Sequence, residues 1–147
     1  MKAAIFTIGF TNKSAEVFFG LLKDNKIKKL FDIRLNANSQ LAGFAKGKDL
    51  PYFMKTICDA QYEHILDMAP TKELLEGYRE KNISWEEYEK EYKKLLQIRN
   101  VAKKVKIEAL DRACFLCSEH KPDFCHRRLL AEYLQRAFKD IEIKHLL

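Results

Sequence analysis

A chain of 147 residues with 47% hydrophobic and 12% aromatic content has the size at which one domain closes one substantial core, so a single domain over residues 1–147 is expected. The 27 Lys and Arg against 21 Asp and Glu leave a formal charge of +6, which favours an anionic small molecule or nucleic acid as partner. No stretch approaches the ~20 apolar residues that span a bilayer, and residues 1–10 carry neither a long apolar run nor a small-residue cleavage site, so a cytoplasmic protein with no membrane partner is expected, its oligomeric state unspecified.

Ala3–Gly9 is a short apolar, β-branched run ending in Gly and predicts a buried strand, with a turn over residues 10–13. Ser14 caps the next helix, whose apolar face is Val17, Phe18, Leu21 and Leu22, and Asn25 ends it. Residues 27–34 predict a second strand, and the helix between makes a crossover joining parallel strands. Residues 35–48 hold Asn36, Asn38, Ser39, Gln40, Gly43 and Gly47 without periodicity, a long loop of the kind that is often functional. Asp49 is the expected cap of a helix running to Ala60, with Pro51 in its first turn. A third strand follows over residues 62–68, stopped before Pro70.

Residues 71–81 predict a short helix, and Ser84-Trp-Glu-Glu87 is a capping box that opens a longer one to Arg99. Its stripe of Trp85, Tyr88, Tyr92, Leu95 and Leu96 reads as core rather than as a base-stacking platform. Residues 101–111 fit either helix or strand. Ala113–Cys117 is a continuous apolar run, as a central parallel strand requires. Pro122-Asp123 then starts a helix with the face Leu129, Leu130, Tyr133, Leu134 and Phe138, and Ile141–Leu146 closes as an edge strand. This alternation predicts a layered α/β fold with a mainly parallel sheet of about five strands flanked by helices.

In such sheets ligands bind outside the carboxyl ends of the strands, and there the polar residues gather. Asp32 and Arg34, two apart on a strand, share a face. They read either as an ion pair that fixes a loop, or as an acid/base or orienting group beside an anion clamp. The cysteines at 58, 114, 117 and 125 read as thiols, since four do not make the disulfide framework of a small secreted protein. Cys114 and Cys117 fall on opposite faces of their strand; Cys114 is a core thiol, and Cys117 shares the site face with Glu119. Cys125 falls in the first turn of a helix beside His126 and Arg127, where dipole and cations favour a thiolate. Arg127 and Arg128 there oppose the dipole, a conflict that a bound anion or a pairing of Arg128 with Glu132 resolves. A zinc site of Cys117, Cys125 and His126, completed by Glu119, matches no structural zinc spacing. No metal and no cofactor are therefore expected.

Three motifs in order, Thr7-Ile8-Gly9-Phe10-Thr11-Asn12, Asp32-Ile33-Arg34 and Cys117-Ser118-Glu119 running into Cys125-His126-Arg127-Arg128, resemble the family of domains of unknown function numbered 488. The resemblance spans nearly the whole chain and implies an α/β fold with a shared pocket. The chain departs from the family's pattern after Asp-x-Arg, where a Pro and a Ser-Arg pair are replaced by Leu35-Asn-Ala-Asn-Ser39-Gln40, and at Phe10 and Ala69-Pro70.

The expected function is an enzyme acting on a phosphate-bearing substrate, a nucleotide or nucleic acid, with Cys125 as nucleophile and His126 as acid/base. Arg34 and Arg127 would bind the anion, Asp32 and Glu119 would orient groups or move protons, and Thr11, Asn12 and Cys117 would contact substrate. The alternatives are a non-catalytic nucleic-acid-binding module using the lysines at 90, 93, 94, 103, 104 and 106, and a thiol redox or metal-binding protein.

Overall fold

The computed structural model describes residues 2–38, 43–119 and 121–147. Among these, five strands, β1 (Ala3–Gly9), β2 (Lys29–Asp32), β3 (Gln61–His64), β4 (Ala113–Cys117) and β5 (Ile141–Leu146), form one all-parallel sheet in the order β3-β2-β4-β1-β5. The helices are α1 (Ala15–Asp24), α2 (Leu50–Phe53), α3 (Lys72–Arg79), α4 (Trp85–Ile98), α5 (Val101–Lys104), α6 (Ile107–Leu110) and α7 (His126–Phe138), and α2 runs on into a wider π turn over Met54–Cys58. None of the helices is long and apolar enough to cross a membrane.

The sheet has a core on each face because its strands alternate. On β4, buried at every position, Ala113 and Phe115 join Tyr88, Tyr92 and Leu96 of α4 and Leu129, Leu130 and Leu134 of α7 on the first face. Cys114 and Leu116 join Phe18, Phe19 and Leu22 of α1 and Leu50 of α2 on the second. Each fully buried Leu or Phe contributes about 1.5–3 kcal/mol, so neither face stays uncovered.

The predicted caps at Ser14 and Ser84 are present, accepting from the amides of Val17 and Glu87 at 3.2 and 3.1 Å. Asp49 does not cap, because its own backbone is already helical. The chain turns earlier, with the amides of Asp49 and Leu50 both donating to the Lys46 carbonyl. The helix expected to reach Ala60 ends at Asp59, which is left-handed with φ 49°. The third strand is cut to Gln61–His64, with a 3-10 turn over Leu66–Met68. The segment that fitted helix or strand contains α5 and α6. The last helix begins at His126 rather than at 122–123, and Cys125 stands before its first turn with extended backbone. In the 35–48 loop, Gly43–Ala45 form a 3-10 turn; the expectations at Ser39 and Gln40 lie outside the described residues.

Strand order positions the crevice. β2 leads through the 35–48 loop to α2 on the second face and on to β3, while its neighbour β4 leads to α7 on the first face and on to β5. Where connections of adjacent parallel strands diverge, their carboxyl ends leave an opening.

Candidate functional site

A cavity of about 620 Å³ occupies that opening. Arg34, Leu35 and Asn36 line it after β2, and Cys117, Ser118 and Glu119 after β4. Tyr78 and Arg79 of α3, Trp85 and Tyr88 of α4, and Phe124, Cys125 and His126 at the start of α7 supply the rest of its wall. Arg34 and Cys125, far apart in sequence, thus border one space.

Cys117, Cys125 and His126 are 5%, 3% and 6% exposed, which places them at the buried end of the cavity. His126 Nε2 lies 2.8 Å from the Ile33 carbonyl. A carbonyl only accepts, so Nε2 carries the hydrogen, and in the neutral ring Nδ1 is left with a lone pair. Nδ1 lies 3.4 Å from the Cys117 sulfur. The ring is held from the side as well: Tyr92, fully buried, meets it edge-on at 5.4 Å and donates its hydroxyl to the Met68 carbonyl at 2.6 Å.

The two thiols take unequal roles. Burial pushes the Cys117 thiol up, but a hydrogen bond from the Cys125 thiol, the Ser118 backbone amide and the Arg127 guanidinium outweigh it, so Cys117 ionises below the ordinary thiol value. Cys125 is pushed well up, first by burial and then by the hydrogen bond and charge of Cys117. One proton is shared unevenly between coupled sites, and Cys117 loses it first. The direction of these shifts favours Cys117, whereas the sequence reading assigned the thiolate to Cys125. The reason is the later helix start: Cys125 stands outside the first turn, while Cys117 receives the donors. Cys114, three residues back on the other face, is fully buried and raised by that burial.

Asp32 and Arg34 form a closed pair on the second face. Arg34 Nε and Nη2 donate to the two carboxylate oxygens at 2.8 and 2.7 Å, and Tyr62 adds its hydroxyl at 2.6 Å. Nη2 also donates to the carbonyls of Ala37 and Ala45, at 3.1 and 2.6 Å, which pins the 35–48 loop. Asp32 is fully buried and does not line the cavity.

The end of β1 supports the end of β4. The Thr11 amide and hydroxyl both donate to the Ser118 carbonyl, at 3.1 and 2.6 Å. A Cβ at Gly9 would stand 1.6 Å from the Glu119 carbonyl oxygen, so only glycine admits that loop. Arg127 is fully buried and donates to the Glu119 carbonyl and, at 3.2 Å, to the Thr7 hydroxyl. Arg128 pairs with Glu132 at 3.0 Å and Glu89 at 3.4 Å. Protein groups therefore answer both arginines at the helix start. Thr11, Asn12 and Arg127 are not among the cavity's lining residues, whereas Glu119 is. Sequence reasoning passed over Arg79 and Phe124, which carried no motif; Trp85, read as core, packs against the first core as expected and also lines the cavity.

The ligand atoms of Cys117, Cys125 and His126 all lie within 4.8 Å of one another. Two thiolates and an imidazole are a donor set that suits zinc with a fourth position left open, and the Ile33 carbonyl on Nε2 is the kind of outer contact a metal-binding His takes.

Neither a curated protein nor a solved structure matches the chain. The family described as "Domain of unknown function DUF488" matches residues 14–134, a span that runs from the cap of α1 through the Asp32–Arg34 pair to α7 and takes in all three residues of the centre. The chain belongs to that family.

Proposed function

We propose that the protein is an enzyme that uses Cys117 as a nucleophile on a phosphate-bearing substrate held in the cavity. The observation that carries this reading is the 3.4 Å contact between the Cys117 sulfur and Nδ1 of an imidazole whose other nitrogen is fixed, at the buried end of an open cavity. A nucleophile, a base and a group orienting the base form the constellation of an activated thiol. His126 takes the Cys117 proton as the sulfur bonds to the substrate's electrophilic atom, and gives it to the leaving group as that group's bond breaks. Water then cleaves the sulfur–substrate bond to restore the thiol. Cys125 donates to the thiolate, and Glu119 serves at the rim. Lys72 and Arg79 on the wall make that end of the cavity attractive to an anion, while Arg34, which borders it, is neutralised by Asp32. Asp32 acts through Arg34 by holding the loop, as do Thr11 and Arg127 through residues 118 and 119.

Brief alkylation at neutral pH followed by peptide mapping tests this. Cys117 should label faster than Cys114 by on the order of a hundredfold, and His126→Gln should slow it. Preferential labelling of Cys125 or Cys114 would sink the proposal.

The convergence of three donors supports a second reading, a zinc centre. Bound zinc would block alkylation until a chelator removed it, so metal analysis before labelling separates the two. A nucleic-acid module is less supported. Of its six lysines, Lys93, Lys94 and Lys104 meet Glu89, Glu91 and Asp67 at 3.9, 3.7 and 2.8 Å.

A further inference from the structure

The wall facing the thiol centre is aromatic. Phe124 lines the cavity and is 62% exposed. Its ring stands 5.5 Å from Trp85 at 86°, and Trp85 is backed by Tyr88, stacked at 5.0 Å and 16°. Two rings at a right angle make a corner. A flat ligand ring lying along one of them meets the other edge-on, and both arrangements are ones that aromatic pairs prefer.

A cation stands on the same wall. Arg79, in the last turn of α3, lines the cavity, and its side chain enters no hydrogen bond or ion pair among the described residues. Phosphate alone would leave the aromatic corner unused, and a purely apolar ligand would make no use of the guanidinium beside it. A ring that carries a phosphate uses both. The cavity of about 620 Å³ lies within the roughly 300–1,000 Å³ range of small-molecule sites.

We propose that the ligand of this cavity is a nucleotide, its base seated in the Phe124–Trp85 corner and its phosphate on Arg79; this rests on the reading of the cavity as a substrate site. Stacking on aromatic side chains is open to every base. The corner therefore sets the class of ligand, and the choice of base is made elsewhere in the cavity.

The chain has one tryptophan, so fluorescence excited beyond the tyrosine absorption band reports on Trp85 alone. The 5′-monophosphates of adenosine, guanosine, cytidine and uridine are titrated in turn, beside the four nucleosides and inorganic phosphate. At least one monophosphate should quench saturably, its nucleoside should bind about tenfold more weakly, and phosphate should leave the emission unchanged. Phe124→Ala should weaken the nucleotide about tenfold. Because Phe124 is mostly exposed, the truncation leaves the core intact, and an unchanged far-ultraviolet dichroism spectrum verifies this. Arg79→Ala should erase the difference between nucleotide and nucleoside. The proposal is overturned if no monophosphate quenches, or if Phe124→Ala binds as tightly as the native chain. Failure here with rapid labelling of Cys117 leaves the thiol enzyme standing. Binding with an inert Cys117 supports the nucleotide site and removes the thiol reading.

Discussion

Two buried polar clusters flank the boundary between β2 and β4, one on each face of the sheet. On the second face, Asp32, Arg34 and Tyr62 satisfy one another and the Ala37 and Ala45 carbonyls. On the first, Cys117, Cys125 and His126 are just as buried but open into a cavity. The same contrast divides two thiols of β4: burial outweighs the Arg127 charge at Cys114 and raises it, while donors around Cys117 overcome burial. Burial therefore does not distinguish a polar group closed inside the fold from one that faces a cavity. What differs is whether its remaining bonding capacity is spent inside the fold or directed at space a ligand can occupy.

The closed cluster gives the largest expected effect. Asp32→Ala leaves the Arg34 guanidinium, 4% exposed, without its carboxylate, and removing one partner of a buried ion pair costs about 3–5 kcal/mol. The Tyr62 hydroxyl loses its acceptor as well. Denaturant unfolding of the variant should show that loss. A cost below about 1 kcal/mol, the range of an exposed pair, would mean that solvent from the cavity reaches Arg34 and that the two clusters are not distinct in kind.

The next effect comes from the open side. Gly9→Ala places a methyl 1.6 Å from the Glu119 carbonyl and 2.8 Å from Arg127 Nη1, and neither the backbone nor a fully buried arginine yields easily. Overpacking of this sort costs about 1–3 kcal/mol. Because the same segment carries Cys117 and Ser118, alkylation of Cys117 should slow in parallel. A variant that loses stability but keeps native labelling kinetics would show that the loop after β4 does not position the thiol.

The two clusters were unequally legible in the sequence. Strand periodicity put Asp32 and Arg34 on one face two residues apart, which suffices to read an ion pair. The carbonyls they hold lie in a loop without periodicity, so its anchoring was not readable. β1 and β4 were legible because continuous apolar runs identify parallel strands, and β5 showed in the alternation of an edge strand, whereas β3 is polar and mostly exposed and its bounds were misplaced. At the open cluster the residue types were legible and their roles were not. His126 is oriented by the backbone carbonyl of Ile33, 93 positions away, and a carbonyl has no sequence signature. The position of Cys125 hinged on a helix boundary, the feature that residue patterns define least sharply. The Trp85 stripe had one helical period, in which Tyr88, Tyr92 and Leu96 are core while Trp85 packs against that core and also lines the cavity; nothing in the spacing tells a wall that faces a cavity from one that faces a strand.

The smallest effect separates the faces most cleanly. Gly20 sits inside α1, which covers the second face, and a Cβ there meets nothing within 4 Å. Glycine in a helix interior costs about 0.5–1 kcal/mol relative to alanine, because the unfolded chain gives up more freedom. Gly20→Ala should therefore stabilise the protein by that amount and raise its melting temperature by about 1–4 °C. Since α1 belongs to the core that excludes Cys117, the labelling rate of Cys117 should not change. The two glycine variants then form a matched pair, each adding one methyl: at Gly9 stability and thiol reactivity fall together, and at Gly20 stability rises alone. If Gly20→Ala also alters Cys117 reactivity, the faces are coupled through the sheet, and the division between a closed structural cluster and an open reactive one fails.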